Sequence, residues 1–200
     1  MRTIFLAVAV TAAVTVPAGP AVATPPPLAE LRELLLTEAG APAGYRVGDT
    51  QDVQLPVPRG RSLCADDPGP EDEPETTVVM RSFTEADDTG VAMGVAAPGS
   101  FNARAFVAAA QATLTRCPEE KDDTFTRTLT ALTLPVLGDA AAGFREVKVA
   151  TDGTRTEAAV AAVADGDLLA VFEMAGGDET DQADFLAFVS AGAQRLAGAG

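Results

Sequence analysis

Cys64 and Cys117 are the only two thiols in a chain of 200 residues, and the chain has no histidine. Without an imidazole it lacks the usual general base near neutral pH and the commonest zinc ligand. A Ser-His-Asp or Cys-His catalytic site is therefore excluded. Paired carboxylates could still do acid–base work, and there are 29 Asp and Glu residues to supply them. Their placements have simpler explanations. Asp165 and Asp167 belong to a hairpin turn, where short acids bond their own backbone. Asp178, Glu179 and Asp181 precede a helix, where acids cap the first turn and complement its dipole. Asp66, Asp67, Glu71, Asp72, Glu73 and Glu75 crowd into ADDPGPEDEPE. That run has no EF-hand spacing, and Pro68, Pro70 and Pro74 break the turn a calcium loop needs. It reads as a solvated loop. No catalytic residue, metal site or cofactor is expected, and the chain is read as a non-enzyme.

Holding a ligand is the other chemistry within reach. Arg81, Arg127 and Arg145 fall in strand-like runs and are candidates to line a cleft on the sheet's exposed face. In an acidic chain, ion pairs with neighbouring acids account for the same arginines. Tyr45, the single tyrosine, follows the first helix and stands either at a cleft mouth or in the core.

Fourteen Lys and Arg against 29 Asp and Glu give a net charge of −15. Nucleic acid and anionic membrane both need clustered cations, so neither is an expected partner. A hydrophobic fraction of 47% excludes a disordered chain as the starting assumption.

Met1–Ala23 has the form of a secretory signal peptide. Arg2 provides the charged start, Ile4–Val16 the apolar core, and Ala21-Val22-Ala23 the cleavage site. The apolar run is short for a membrane span and is followed by Pro17, Gly19 and Pro20. No cysteine adjoins the cleavage point, so no lipoprotein anchor is expected. The mature protein is expected outside the cell or in the wall, as a monomer without membrane insertion. In an exported chain an even cysteine pair reads as a disulfide, here Cys64–Cys117.

These residues need positioning elements. After a stiff exit segment at 24–27, residues 28–200 read as a single domain. Leucines at helical spacing predict a helix over Leu28–Ala39, stopped by Gly40 and Pro42. Gly44–Val47 reads as a short strand, and 48–74 as irregular. Thr76–Phe83 and Thr89–Ala97 are strands, the second with a face of Gly90, Ala92, Gly94 and Ala96. Such a face admits a closely packed helix or forms a cleft floor. Ser100–Cys117 is a helix with a stripe of Phe106, Ala110, Leu114 and Cys117. Glu119–Asp123 is a charged link, Thr124–Leu134 an alternating strand near a sheet edge, and Phe144–Ala150 another strand. Thr154–Ala175 is apolar on both parities around Asp165-Gly166, the pattern of a hairpin buried on both faces at the sheet centre. Phe185, Phe188, Val189, Gly192 and Leu196 mark the last helix, with Thr180 or Asp181 as its cap. The expected fold is α+β: an antiparallel sheet of about five to six strands under helices, with one disulfide.

Several segments together resemble the extracellular sensor domains of actinobacterial receptor kinases of the PknH type and their stand-alone relatives. They are LLLTEAGAPAGYRV (34–47), the helix ending in Cys117, LPVLGDAAAGFR (134–145) and the closing Arg195-Leu196. The resemblance implies an antiparallel sheet flanked by helices, with a cleft for an unknown ligand. It also implies two disulfides, of which this chain can form one, and a kinase domain that this chain lacks. A sensed state would then pass to another protein. The expected function is a secreted, non-catalytic domain binding an unknown small ligand in a cleft. The alternative is an envelope protein–protein interaction module acting through a flat apolar patch.

Overall fold

The computed structural model describes residues 25–58, 61–64, 66, 73–85, 89–176 and 182–199. The expected signal peptide, the Thr180 or Asp181 cap and most of the acidic run lie outside them. The first half runs α1 (Leu28–Leu34), β1 (Arg46–Pro56), β2 (Glu75–Thr84), β3 (Gly90–Ala96) and α2 (Ser100–Arg116). The second runs β4 (Glu119–Lys121), β5 (Phe125–Ala131), β6 (Ala140–Ala150), β7 (Arg155–Asp165), β8 (Leu168–Gly176) and α3 (Gln182–Ala197).

All pairings are antiparallel, in the order β1-β2-β3-β8-β7-β6-β5-β4. The sheet thus has eight strands among the described residues, not the five to six expected. The hairpin β7–β8 occupies its two central places. Asp165 pairs with Leu168, so the connection is Gly166-Asp167, and Gly166 has φ +54°. Glycine adopts that backbone without steric cost.

Each face has its own core. On one, α1, Leu35 just after it and α3 pack Leu31, Leu35, Phe185, Phe188 and Val189 against Phe83, Met93, Val163, Phe172 and Met174. On the other, α2 packs Ala103, Val107 and Ala110 against Leu129, Ala142, Phe144, Ala162 and Leu169. The buried side of α2 is therefore turned from the expected stripe, with Phe106 and Leu114 flanking it. Alanine on helix and strand alike lets their backbones approach.

The Gly/Ala face of β3 takes no helix at its middle. A side chain at Gly94 would meet Val78 at 2.6 Å, Val171 at 2.8 Å and Met80 at 3.2 Å, so neighbouring strands fill that space. Close helix approach occurs on the opposite face. There a side chain at Gly192 of α3 would stand 2.5 Å from the Phe172 ring and 3.0 Å from Met93.

Several boundaries differ from expectation. β6 begins at Ala140 and not at Phe144, because pairing with β7 extends through Ala140, and β5 ends at Ala131 and not at Leu134. The first helix stops at Leu34, and Leu35 turns extended with ψ 142°. This break buries both Leu35 and Leu36, which a continued helix would set about 100° apart. A one-turn helix over Glu38–Gly40 follows. β1 is an eleven-residue edge strand exposed along nearly its whole length, so its ladder to β2, not burial, defines it. The link after α2 contains β4, which pairs Glu120 with Arg127 of β5.

Candidate functional site

The candidate binding residues occupy separate places. Tyr45 is 3% exposed and stands edge-on to Phe188, with ring centroids 4.8 Å apart. It is a core residue and not part of a cleft mouth. Arg81 on β2 donates from Nε to Thr50 Oγ1 at 3.0 Å and from Nη1 to the Leu36 carbonyl at 2.8 Å. It straps the chain leaving α1 to the β1–β2 ladder. Arg127 lies on the α2 face of β5, 2.9 Å from Glu120 and 3.0 Å from Glu146. Arg145 of β6 points to the opposite face and hydrogen-bonds Glu157 of β7, which Arg155 also meets. Three intervening strands separate Arg145 from Arg81. The arginines are thus not brought together, and their acids neutralise two of them.

Glu157 is 2% exposed. Burial alone would raise its carboxyl pKa. The hydrogen bond from Arg145 and the charges of Arg145 and Arg155 outweigh that and hold it below the ordinary value of 4.5. This is a structural ion cluster. A second charged closure lies in the segment after β1, where Arg61 grips Glu73 through two contacts of 2.8 and 2.6 Å.

Cys64 and Cys117 are bonded, with Cα atoms 6.0 Å apart. The bond joins the segment after β1 to the end of α2. The Leu63 N–H also donates to Thr113 Oγ1 at 2.8 Å. Glu120 brings a carboxylate within 4.8 Å of both sulfurs, but disulfide sulfur offers no thiolate to a metal.

A cleft of about 610 Å³ opens at the tip of the central hairpin, between α1 and the last turn of α3. Leu31, Leu34, Leu168 and Leu196 make its apolar floor, and Glu30, Glu33, Asp165 and Asp167 its rim. The hairpin tip is fixed from both sides. Asp167 Oδ1 accepts the Ser100 N–H at 2.9 Å, and its carbonyl accepts the Gly99 N–H at 3.2 Å. Gly99 has no side chain to cap α2, so the hairpin supplies the cap. Asp139 Oδ2 accepts the Gly166 N–H at 3.2 Å. Arg195 of α3 donates from Nε to the Leu34 carbonyl at 3.2 Å and from Nη2 to the Glu33 carbonyl, locking the two helix ends together.

The sequence reading missed this site. Each floor leucine fits a core stripe of its own element, and the two turn aspartates are explained by turn chemistry. No separate signal marked it: acids flank the hairpin glycine, and of these Asp167 also caps α2.

The architecture is that of an α+β domain, one antiparallel sheet covered by helices on both faces and braced by one disulfide. Its fold is similar to that of the extracellular domain of PknH from Mycobacterium tuberculosis, with a TM-score of 0.57 and 17% identity. The match covers 88% of this chain and 98% of that domain. No family model matches the chain, and no curated protein matches it in sequence. Among the described residues no helix is long and apolar enough to cross a membrane.

Proposed function

We propose that this protein is a secreted, sensor-like domain that holds a small ligand in the hairpin-tip cleft without transforming it. The observation that carries the reading is the cleft itself. Its volume of about 610 Å³ falls among those of small-molecule sites, which are concave, mostly apolar and marked by a few convergent polar groups. Likeness in fold to an extracellular domain supports a place in the envelope or outside it. The absence of histidine supports binding over catalysis.

Nile red, a neutral fluorescent probe, tests the cleft without reference to charge. Saturable one-site binding is expected, lost in both Leu34→Trp and Ala197→Trp, which fill the cleft from opposite walls. Binding unchanged in both variants, or no saturable binding in the native protein, overturns the reading.

A second reading is an envelope interaction module working through surface contact. Phe101 at 70% exposure and the fully exposed Val136 favour it. Replacing both by serine leaves Nile red binding intact if the cleft is the site.

A further inference from the structure

Resting on the cleft reading above, we infer that the ligand is a lipophilic amine: an ammonium group on an alkyl or aryl body. Several acids elsewhere in the described fold face arginines. Asp52 faces Arg32, Glu73 faces Arg61, Glu120 and Glu146 share Arg127, and Glu157 has Arg145 and Arg155. The cleft rim gathers four that do not around one apolar opening. Glu30, Glu33, Asp165 and Asp167 stand round the apolar floor, and none has an ion-pair partner among the described residues. Arg195, the nearest cation on α3, directs its donors to the backbone carbonyls of Glu33 and Leu34.

Each part of the cleft then selects against a different competitor. The leucine floor rewards apolar area at about 25 cal/mol per Å² removed from water, so a small hydrophilic cation gains little. Four carboxylates against the one guanidinium of Arg195 leave a net negative charge that low-dielectric walls focus into the opening, so an anionic amphiphile is repelled. A neutral amphiphile gains only the floor. A cationic one gains the floor and the rim together.

Three probes with the same alkyl chain separate these terms: n-octylamine, n-octanol and n-octanoate, titrated into the full chain at neutral pH. Binding is read by amide and methyl chemical shifts. Octylamine is expected to shift Leu34, Gly166, Leu168 and Ala197, with an affinity about tenfold above octanol, as a few partly screened charges provide. Octanoate should bind more weakly still. In Glu33→Gln/Asp165→Asn the octylamine advantage should fall several-fold while octanol binding stays unchanged. Raising the ionic strength should act in the same direction.

Equal binding of octylamine and octanol at the cleft, unmoved by the double variant, overturns the amine assignment and leaves the cleft reading standing. Shifts from all three probes that avoid the cleft overturn both. Contacts between residues preceding Pro25 and Leu34 or Leu196 in the probe-free protein would mean that the chain's own leading segment fills the cleft. Concentration-dependent shifts there without probe would mean that a second copy fills it. Either result overturns the assignment.

Discussion

Along the wing of the sheet that runs from β7 to β4, Glu120, Glu146 and Glu157 are met by arginines. Arg127 bridges Glu120 and Glu146, and Glu157 is enclosed by Arg145 and Arg155. The disulfide at the end of α2 lies on the same side of the molecule. At the hairpin tip the same residue types stand without such partners, above leucines that leave space unfilled. Charge and covalent bonding in the wing determine one arrangement, whereas the tip keeps apolar surface and negative charge available. The contrast separates what holds the fold from what it offers to another molecule, and mutations in the two regions should report on different properties.

The largest effect is expected from the disulfide. Cys64 and Cys117 are 53 residues apart, and in the chain-entropy model closing such a loop contributes about 4 kcal/mol. Cys64→Ser/Cys117→Ser should lower the thermal midpoint by about 10 °C in calorimetry, with Nile red binding retained below the transition. If binding is lost while the domain remains folded, wing and tip are coupled and the separation fails.

The ion cluster comes next. Arg145→Leu removes one of two cations from a carboxylate that is 2% exposed. Breaking a buried pair costs several kcal/mol. The arginine side chain is 39% exposed, and solvent screening reduces the expected loss to about 1–2 kcal/mol. The same cluster sets a pH dependence. Glu157 is held below its ordinary value of 4.5, so the folded state binds its proton less readily than the unfolded chain. Its stabilisation is therefore present above that value and is lost as the pH falls through the lower folded value. Asp122 and Asp152 are also lowered, chiefly by hydrogen bonds from Thr124 and Thr154, so the acid limb of the native protein mixes all three. Urea titrations of native protein and Glu157→Gln isolate the cluster: their stability difference should shrink as the pH falls below 4.5. A difference that stays constant with pH would remove the carboxylate charge from the account.

The central hairpin was legible in the sequence because two features agree there: Asp165-Gly166, and strands apolar on both parities. The end of α2 and the disulfide were legible from Pro118 and an even cysteine pair, whereas the Gly40 signal overran α1, which stops at Leu34. β1 was not. Arg46–Pro56 is polar on both faces, so no alternation distinguishes it from loop, and backbone pairing with β2 decides its state. The 3-residue β4 depends on β5 in the same way. The cleft was hidden for a different reason. Leu31, Leu168 and Leu196 come from three segments far apart in the chain, and periodicity marks each as buried without saying that the three line one cleft. A vacancy is a property of assembly, and local pattern carries no record of it.

The smallest expected effect bears most directly on the contrast. Asp167 caps α2, so Asp167→Ala should cost about 1 kcal/mol as other cap losses do. The side-chain carboxylates of Glu33 and Asp165 have no hydrogen bond or ion pair among the described residues. Neutralising them relieves repulsion between like charges and removes no partner. Glu33→Gln and Asp165→Asn should therefore leave urea stability within about 0.5 kcal/mol, with any change towards greater stability and smaller at high salt. A loss beyond about 1 kcal/mol in either would show that the rim acids support the fold as the wing acids do. The tip would then differ from the wing in geometry alone, and its negative charge would no longer argue for a cation.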